Sequence, residues 1–307
     1  MNMQSAIKQH YIPQFYLKRW TVDGKLVEFR RPNPAEPGVK PHRKPPKGTA
    51  WQKGLYDFGG LPPDKRHHLE KVFFRFIDSE AANALAILEH GQNAWTDDLR
   101  QAWAMFLMSL IVRHPHDVEA FKAVYARDFA VISPEHEETY QRARGSDDPA
   151  SAEEYFRNLG APFIPNLALN NIPKLVNHEN AITTLMNMHW LVAEPHRDGY
   201  FLTSDRPVIR SLLGHDESHW VLPISPKRLF VAAQRESFGD ALAHSVSRNG
   251  WKEVNRQVLR QAAHLAFADD DKHLSLVQKH LAAATQPSLF LSFVPDPLRA
   301  PPLERIP

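Results

Sequence analysis

The hydrophobic rhythm of this chain changes near residue 187, and that change constrains the fold more than any single motif. Before it, apolar residues recur at helical spacing. From Leu69, a 3.6 period takes in Val72, Phe73, Phe76, Ile77 and Ala84, and a second stripe runs through Leu99, Ala102, Trp103, Phe106, Leu107, Leu110 and Ile111. Thr96, followed by Asp97 and Asp98, is placed to cap that second helix. After residue 187, short apolar runs such as Trp190–Ala193, Tyr200–Thr203, Trp220–Leu222 and Arg228–Ala232 are cut by turn residues, the pattern of an antiparallel or mixed sheet. A last helix is expected from about Asn249 to Phe267, with Trp251, Val254, Val258, Leu259 and Ala262 inward.

The expected fold class is therefore α+β: a helical middle region, a mixed or antiparallel sheet in the C-terminal half, and an N-terminal β-hairpin turning at Asp23-Gly24. Residues 1–294 read as a single α+β domain. Within it, residues 31–48 form a basic surface excursion too rich in proline for regular structure, and residues 295–307 form a Pro-rich C-terminal tail.

Composition narrows the chemistry. The 307 residues include no cysteine, which excludes disulfides and thiolate metal sites. No run is long and apolar enough for a signal peptide or a membrane span, so a cytoplasmic protein with no membrane partner is expected. Net charge is only +2, yet residues 1–66 hold 13 Lys or Arg against 5 Asp or Glu. Arg31, Arg43, Lys44 and Lys47 are accordingly candidate contacts to a nucleic acid, weighed against a solvated basic loop. The absence of a Gly-rich phosphate loop, a nucleophile elbow and a dinucleotide fingerprint argues against ATP-driven chemistry, dinucleotide redox and elbow-serine hydrolysis.

The densest chemistry lies in residues 10–20, which join His10, Pro13, Gln14, Lys18 and Arg19 to the aromatics Tyr11, Phe15, Tyr16 and Trp20. Pro13 suits the first position of a short helix, on which Tyr11, Phe15, Leu17 and Trp20 would anchor the segment and hold His10 and Gln14 at its entrance. Three expected helices each place one polar residue on an apolar face: Glu80, Arg113 and Asn255. Buried polar groups need partners, so an Arg113–Glu80 pair is expected, either bracing the core or orienting a catalytic carboxylate. Thr203-Ser204-Asp205-Arg206-Pro207 leaves a strand, with Ser204 and Asp205 either shaping a turn or facing a ligand. His67-His68, His114-Pro115-His116-Asp117 and His136 read as solvent-exposed side chains more readily than as metal ligands.

The run from His10 to Lys18 with Trp20 resembles the opening signature of an uncharacterised, mainly bacterial family, domain of unknown function 4238. Arg113-His114-Pro115, Phe201 to Val208, Leu222 to Pro226, and Asn255 ahead of Ala262 resemble its later segments in the same order, over roughly residues 10–268. His114 stands where the family usually has threonine. The resemblance implies a shared fold and site and brings no established activity. It also raises Asp205 from a turn residue to a site candidate.

The leading expectation is a hydrolase, nuclease-like and metal-assisted, acting on phosphodiesters. His10 would be its general acid or base, and Asp205 and Glu80 would be ligands or orienters of a divalent metal cofactor. Arg113 would stabilise an anion, and Gln14, Ser204 and Asn255 would position substrate. The alternative is a non-catalytic binding or partner-recognition module. A site requires His10, Asp205 and Arg113 around one solvent-open pocket, whereas a purely structural network leaves them dispersed or sealed.

Overall fold

The computed structural model describes residues 7–31, 38–58, 67–90, 95–128, 132–159 and 168–284. The expected tail 295–307 and part of the Pro-rich excursion, residues 32–37, lie outside the described residues.

In chain order the described elements are β1 (Lys8–His10), α1 (Gln14–Leu17), β2 (Leu26–Arg30), β3 (Lys40–Lys44) and β4 (Trp51–Lys53). A π-helical turn, Leu69–Phe74, runs into α2 (Arg75–His90), followed by α3 (Asp97–Val112), α4 (Pro115–Asp128), α5 (Pro134–Ala143), α6 (Ala152–Leu159), α7 (Ile172–Val176) and α8 (Glu179–Asn187). The chain then forms β5 (His189–Ala193), β6 (Thr203–Ser204), β7 (Ile209–Arg210), β8 (His219–Ser225) and β9 (Arg228–Ala233). It ends with α9 (Glu236–Ser245), a second π-helical turn, Val246–Gly250, α10 (Trp251–Gln261), β10 (Leu265–Ala268) and α11 (Leu274–His280). This is an α+β fold.

Two four-stranded sheets, ordered β3-β2-β10-β6 and β5-β9-β8-β7, stand beside a separate two-stranded β1-β4 pair. Each recorded strand pairing is antiparallel. Strand alternation explains how the larger sheets are covered. On β8 and β9, Leu222, Ile224, Phe230 and Ala232 face the main core with α2 and α3, while Val221, Leu229 and Val231 face Val246, Val254 and Val258 on the other side. On β2 and β10, Val27, Phe29, Ala266 and Ala268 pack on Leu259 and Val277, and Leu26, Leu265 and Phe267 turn to the main core.

Four expectations change. The Asp23-Gly24 turn forms, with both residues at positive φ, but its near side is only a Val22–Lys25 bridge, and β2 finds its sheet partners in β3 and β10. Proline-rich residues 40–44 are a strand despite Pro41, because β3 is an edge, where the missing N–H leaves no ladder bond unmade. The closing helix stops at Gln261, and Leu265–Ala268 is a strand buried on both faces, whose unbroken apolar run carries no period to distinguish it from helix.

The fourth change is in α2. Its lead-in is π-helical, which adds a residue to one turn. The buried series becomes Leu69, Phe74, Ile77, Ala81, Ala84, Leu85 and Leu88, leaving Val72 at 53% and Phe76 at 62% exposure. Ala81 takes the inward place expected of Glu80, which is half-buried.

Candidate functional site

The opening motif is pinned to the far half of the chain. Tyr16 and Trp20 are fully buried. The Tyr16 hydroxyl donates to the Pro223 carbonyl at 2.7 Å, and so accepts from Thr203 Oγ1 at 2.6 Å. Trp20 Nε1 donates to the Phe201 carbonyl at 2.9 Å. Tyr16 thus takes the anchoring role expected of Phe15, which is only partly buried. These anchors fix β1 and α1, and with them His10 and Gln14, along one wall of an open cleft of about 460 Å³. The π-helical turn and α2 supply the opposite wall, with Glu70, Lys71, Arg75, Asp78 and Ser79.

The charges in this cleft are graded by their surroundings. Arg113, completely buried at the end of α3, donates from Nη2 to Asp78 Oδ1 at 2.7 Å and lies 4.2 Å over the Phe74 ring. Its backbone carbonyl accepts from the Tyr56 hydroxyl at 2.7 Å. The expected partner Glu80 is therefore replaced by Asp78. Burial raises the Glu70 pKa to about 7; the charges of Asp78 and Asp57 add to this, and Arg113 opposes it. Burial also lowers the His10 pKa below its ordinary value, more than a backbone interaction with Lys47 restores it. Among the described residues, His10 Nε2, Glu70 Oε2, and Arg113 Nε and Nη1 are buried without hydrogen-bond partners, and they lie in or directly behind this cleft. A cluster of such atoms in a native fold calls for a functional explanation.

Asp205 has another job. It is fully buried, and its oxygens accept from the backbone N–H groups of Ala263 at 2.8 Å, His264 at 2.8 Å and Leu265 at 2.9 Å. Burial alone would raise its pKa, but His114, with Nε2 3.7 Å away, and the backbone donors hold it below the usual carboxylate range. Ser204 Oγ accepts from Arg206 N at 3.2 Å, a turn-forming bond. Asn255 is likewise spent on backbone, accepting from Leu202 N at 2.9 Å and donating to the Tyr200 carbonyl at 2.8 Å. None of the three lines the cleft. Glu80 does not line it either, and no group of three His, Asp or Glu among the described residues is placed to share a metal ion.

The first three family-like motifs therefore meet at one junction but face two ways. His10 and Arg113 serve the cleft, while their chain neighbours Tyr11 and His114 stack edge to face at 5.3 Å, with His114 beside Asp205. His67 and His114 depart from their solvent-exposed reading: both are buried, with His67 Nδ1 2.7 Å from Asp57 Oδ1. Of the basic candidates, Arg43 and Lys47 are exposed. Lys44 is paired at 2.7 Å with buried Glu28, which Thr49 also contacts, and Arg31 donates to the Leu281 carbonyl at 3.4 Å.

Sequence reasoning missed Glu70, Lys71, Arg75 and Asp78. Eight positions separate Glu70 from Asp78, which leaves them about 80° apart round an ordinary helix. The added residue in the π turn reduces the effective spacing towards two regular turns, and only the structure discloses it.

No curated protein and no solved structure matches the chain. The sequence matches the family described as "Protein of unknown function (DUF4238)" over residues 8–272, and the chain belongs to that family.

Proposed function

We propose that this protein is a hydrolase that cleaves phosphodiesters by acid–base chemistry in the cleft between α1 and α2. The observation that carries the reading is the convergence of His10, Glu70 and Asp78 with the cations Lys71 and Arg75 on one open cleft. A carboxylic acid with a pKa of about 7 keeps a useful protonated fraction at neutral pH and can donate to a departing oxygen. His10, neutral at that pH and with Nε2 unpartnered, can take a proton from the attacking hydroxyl or water. Lys71 and Arg75 would hold the anionic substrate, while Asp78, braced by Arg113, fixes the local field. No step in this reading is routed through a metal ion. The same proposal makes nucleic acid the partner and the cytoplasm the compartment. Among the described residues, no helix is long and apolar enough to cross a membrane.

The test is cleavage of single- and double-stranded DNA and RNA by wild type, Glu70→Gln and Asp205→Asn, with Mg²⁺, Mn²⁺ and EDTA arms. Expected are turnover that survives EDTA, a loss of about 10²–10⁴-fold in Glu70→Gln, and retained turnover per folded molecule in Asp205→Asn. Absence of cleavage by wild type in every arm would favour the non-catalytic binding module, a reading supported by the structural use of Asp205, Ser204 and Asn255.

A further inference from the structure

A pair of side chains away from the cleft has no part in the reading above. His116, in the first turn of α4, and His264, in the segment entering β10, are 148 positions apart in the chain, yet their Nε2 atoms are 3.2 Å apart. The ring centroids are 5.0 Å apart and the planes meet at 85°. Both side chains are exposed.

Two imidazoles on one tetrahedral ion, each at a bond length of about 2.0–2.1 Å, would place their nitrogens ~3.3 Å and their ring centroids ~5.2 Å apart. A collinear hydrogen bond of the same nitrogen separation would extend the centroids to about 5.5 Å. The observed pair is nearer the chelating V. Its frame is already held: His264 N donates to Asp205 Oδ2 at 2.8 Å, and His116 N donates to His114 Nδ1 at 3.2 Å. Around the His116 ring stand His114, His264, Arg206 and Asp205, and Arg206 is itself engaged by Asp117 at 2.8 Å.

We propose that His116 and His264 form a two-histidine surface site for a divalent transition ion of the zinc, nickel or copper class, with water filling the other positions. Imidazole nitrogens select such ions over magnesium and calcium. Because no third His, Asp or Glu among the described residues joins the pair, the site is a clip, separate from the proposed chemistry of the cleft. A bound ion would tie the start of α4 to the entrance of β10, and would stabilise the folded state by mass action.

The experiment is calorimetric titration of the metal-free full chain with Zn²⁺ and with Ni²⁺, comparing wild type, His116→Ala, His264→Ala, His264→Gln and the control His42→Ala. Melting temperatures with and without ion are read on the same samples, after circular dichroism confirms a common fold. Expected are one saturable ion per wild-type chain, affinity weakened by more than about tenfold in each variant of the pair, and no change in the control. The ion-dependent rise in melting temperature should disappear with the affinity. Undiminished binding in any variant of the pair, or no saturable binding by wild type, would show that the two rings share only a hydrogen bond.

Discussion

A carboxyl group that titrates near neutrality marks stability as well as chemistry. Glu70 moves from an ordinary value of 4.5 to about 7 in the folded chain. Below pH 4.5 it is protonated in both states and contributes nothing; between 4.5 and 7 the folded state keeps a proton that the unfolded state has released. Above that window the buried charge destabilises the fold by about 2–3 kcal/mol. Glu70→Gln should therefore gain stability relative to wild type as pH rises from 4.5 to 8, read by urea unfolding at the two pH values. An equal difference at both would mean that Glu70 is not perturbed. If Glu70 is the acid and His10 the base, turnover should form a bell, falling above about pH 7 and below the lowered His10 pKa. The polar residues show what the sequence could disclose at this scale. Arg113 is legible as an inward charge from its place after Leu110, and His10 from the density of its motif. Asp205 looks the same whether it meets a ligand or three backbone amides, because the amides belong to residues some sixty positions away.

Among the elements, the π-helical turn and the Asp205 clamp make opposite predictions. Deleting exposed Val72 would return Leu69–Phe74 towards α-helical phase and rotate Glu70 away from the cleft, leaving the Asp78–Arg113 pair in place. That variant should stay folded while giving up part of the Leu69 burial, and should lose cleavage, with the Glu70 carboxyl titrating closer to 4.5 by NMR. Asp205→Ala should behave conversely. It removes the acceptor of three backbone donors at the entrance to β10 and should lower stability by about 3 kcal/mol or more in denaturant unfolding at pH 7. The sequence made α3 readable through Thr96, whose side chain does accept from Leu99 N, and made β8 and β9 readable through their short apolar runs. It hid β10 because burial on both faces erases alternation, and it hid the phase of α2 because no residue type announces a π turn.

Across the whole molecule, the residues that hold the cleft open are supported from a distance. Tyr16 and Trp20 tie the first motif to strands and loops at 201–223, and both belong to the core that also contains α2 and α3. Tyr16→Phe, which keeps the ring and removes the bonds to Thr203 and Pro223, should lower stability by about 1–2 kcal/mol. Trp20→Ala should lower it by about 3–5 kcal/mol. Both are measured by chemical denaturation. The 187 positions between Tyr16 and Thr203 also impose a timetable on biosynthesis. At about 5–20 residues per second, the opening motif leaves the ribosome some 10–40 s before the partner it must dock against exists. During that interval Tyr16 and Trp20 are apolar surface in need of cover, so the newborn chain should depend on holding chaperones most strongly at its N-terminus.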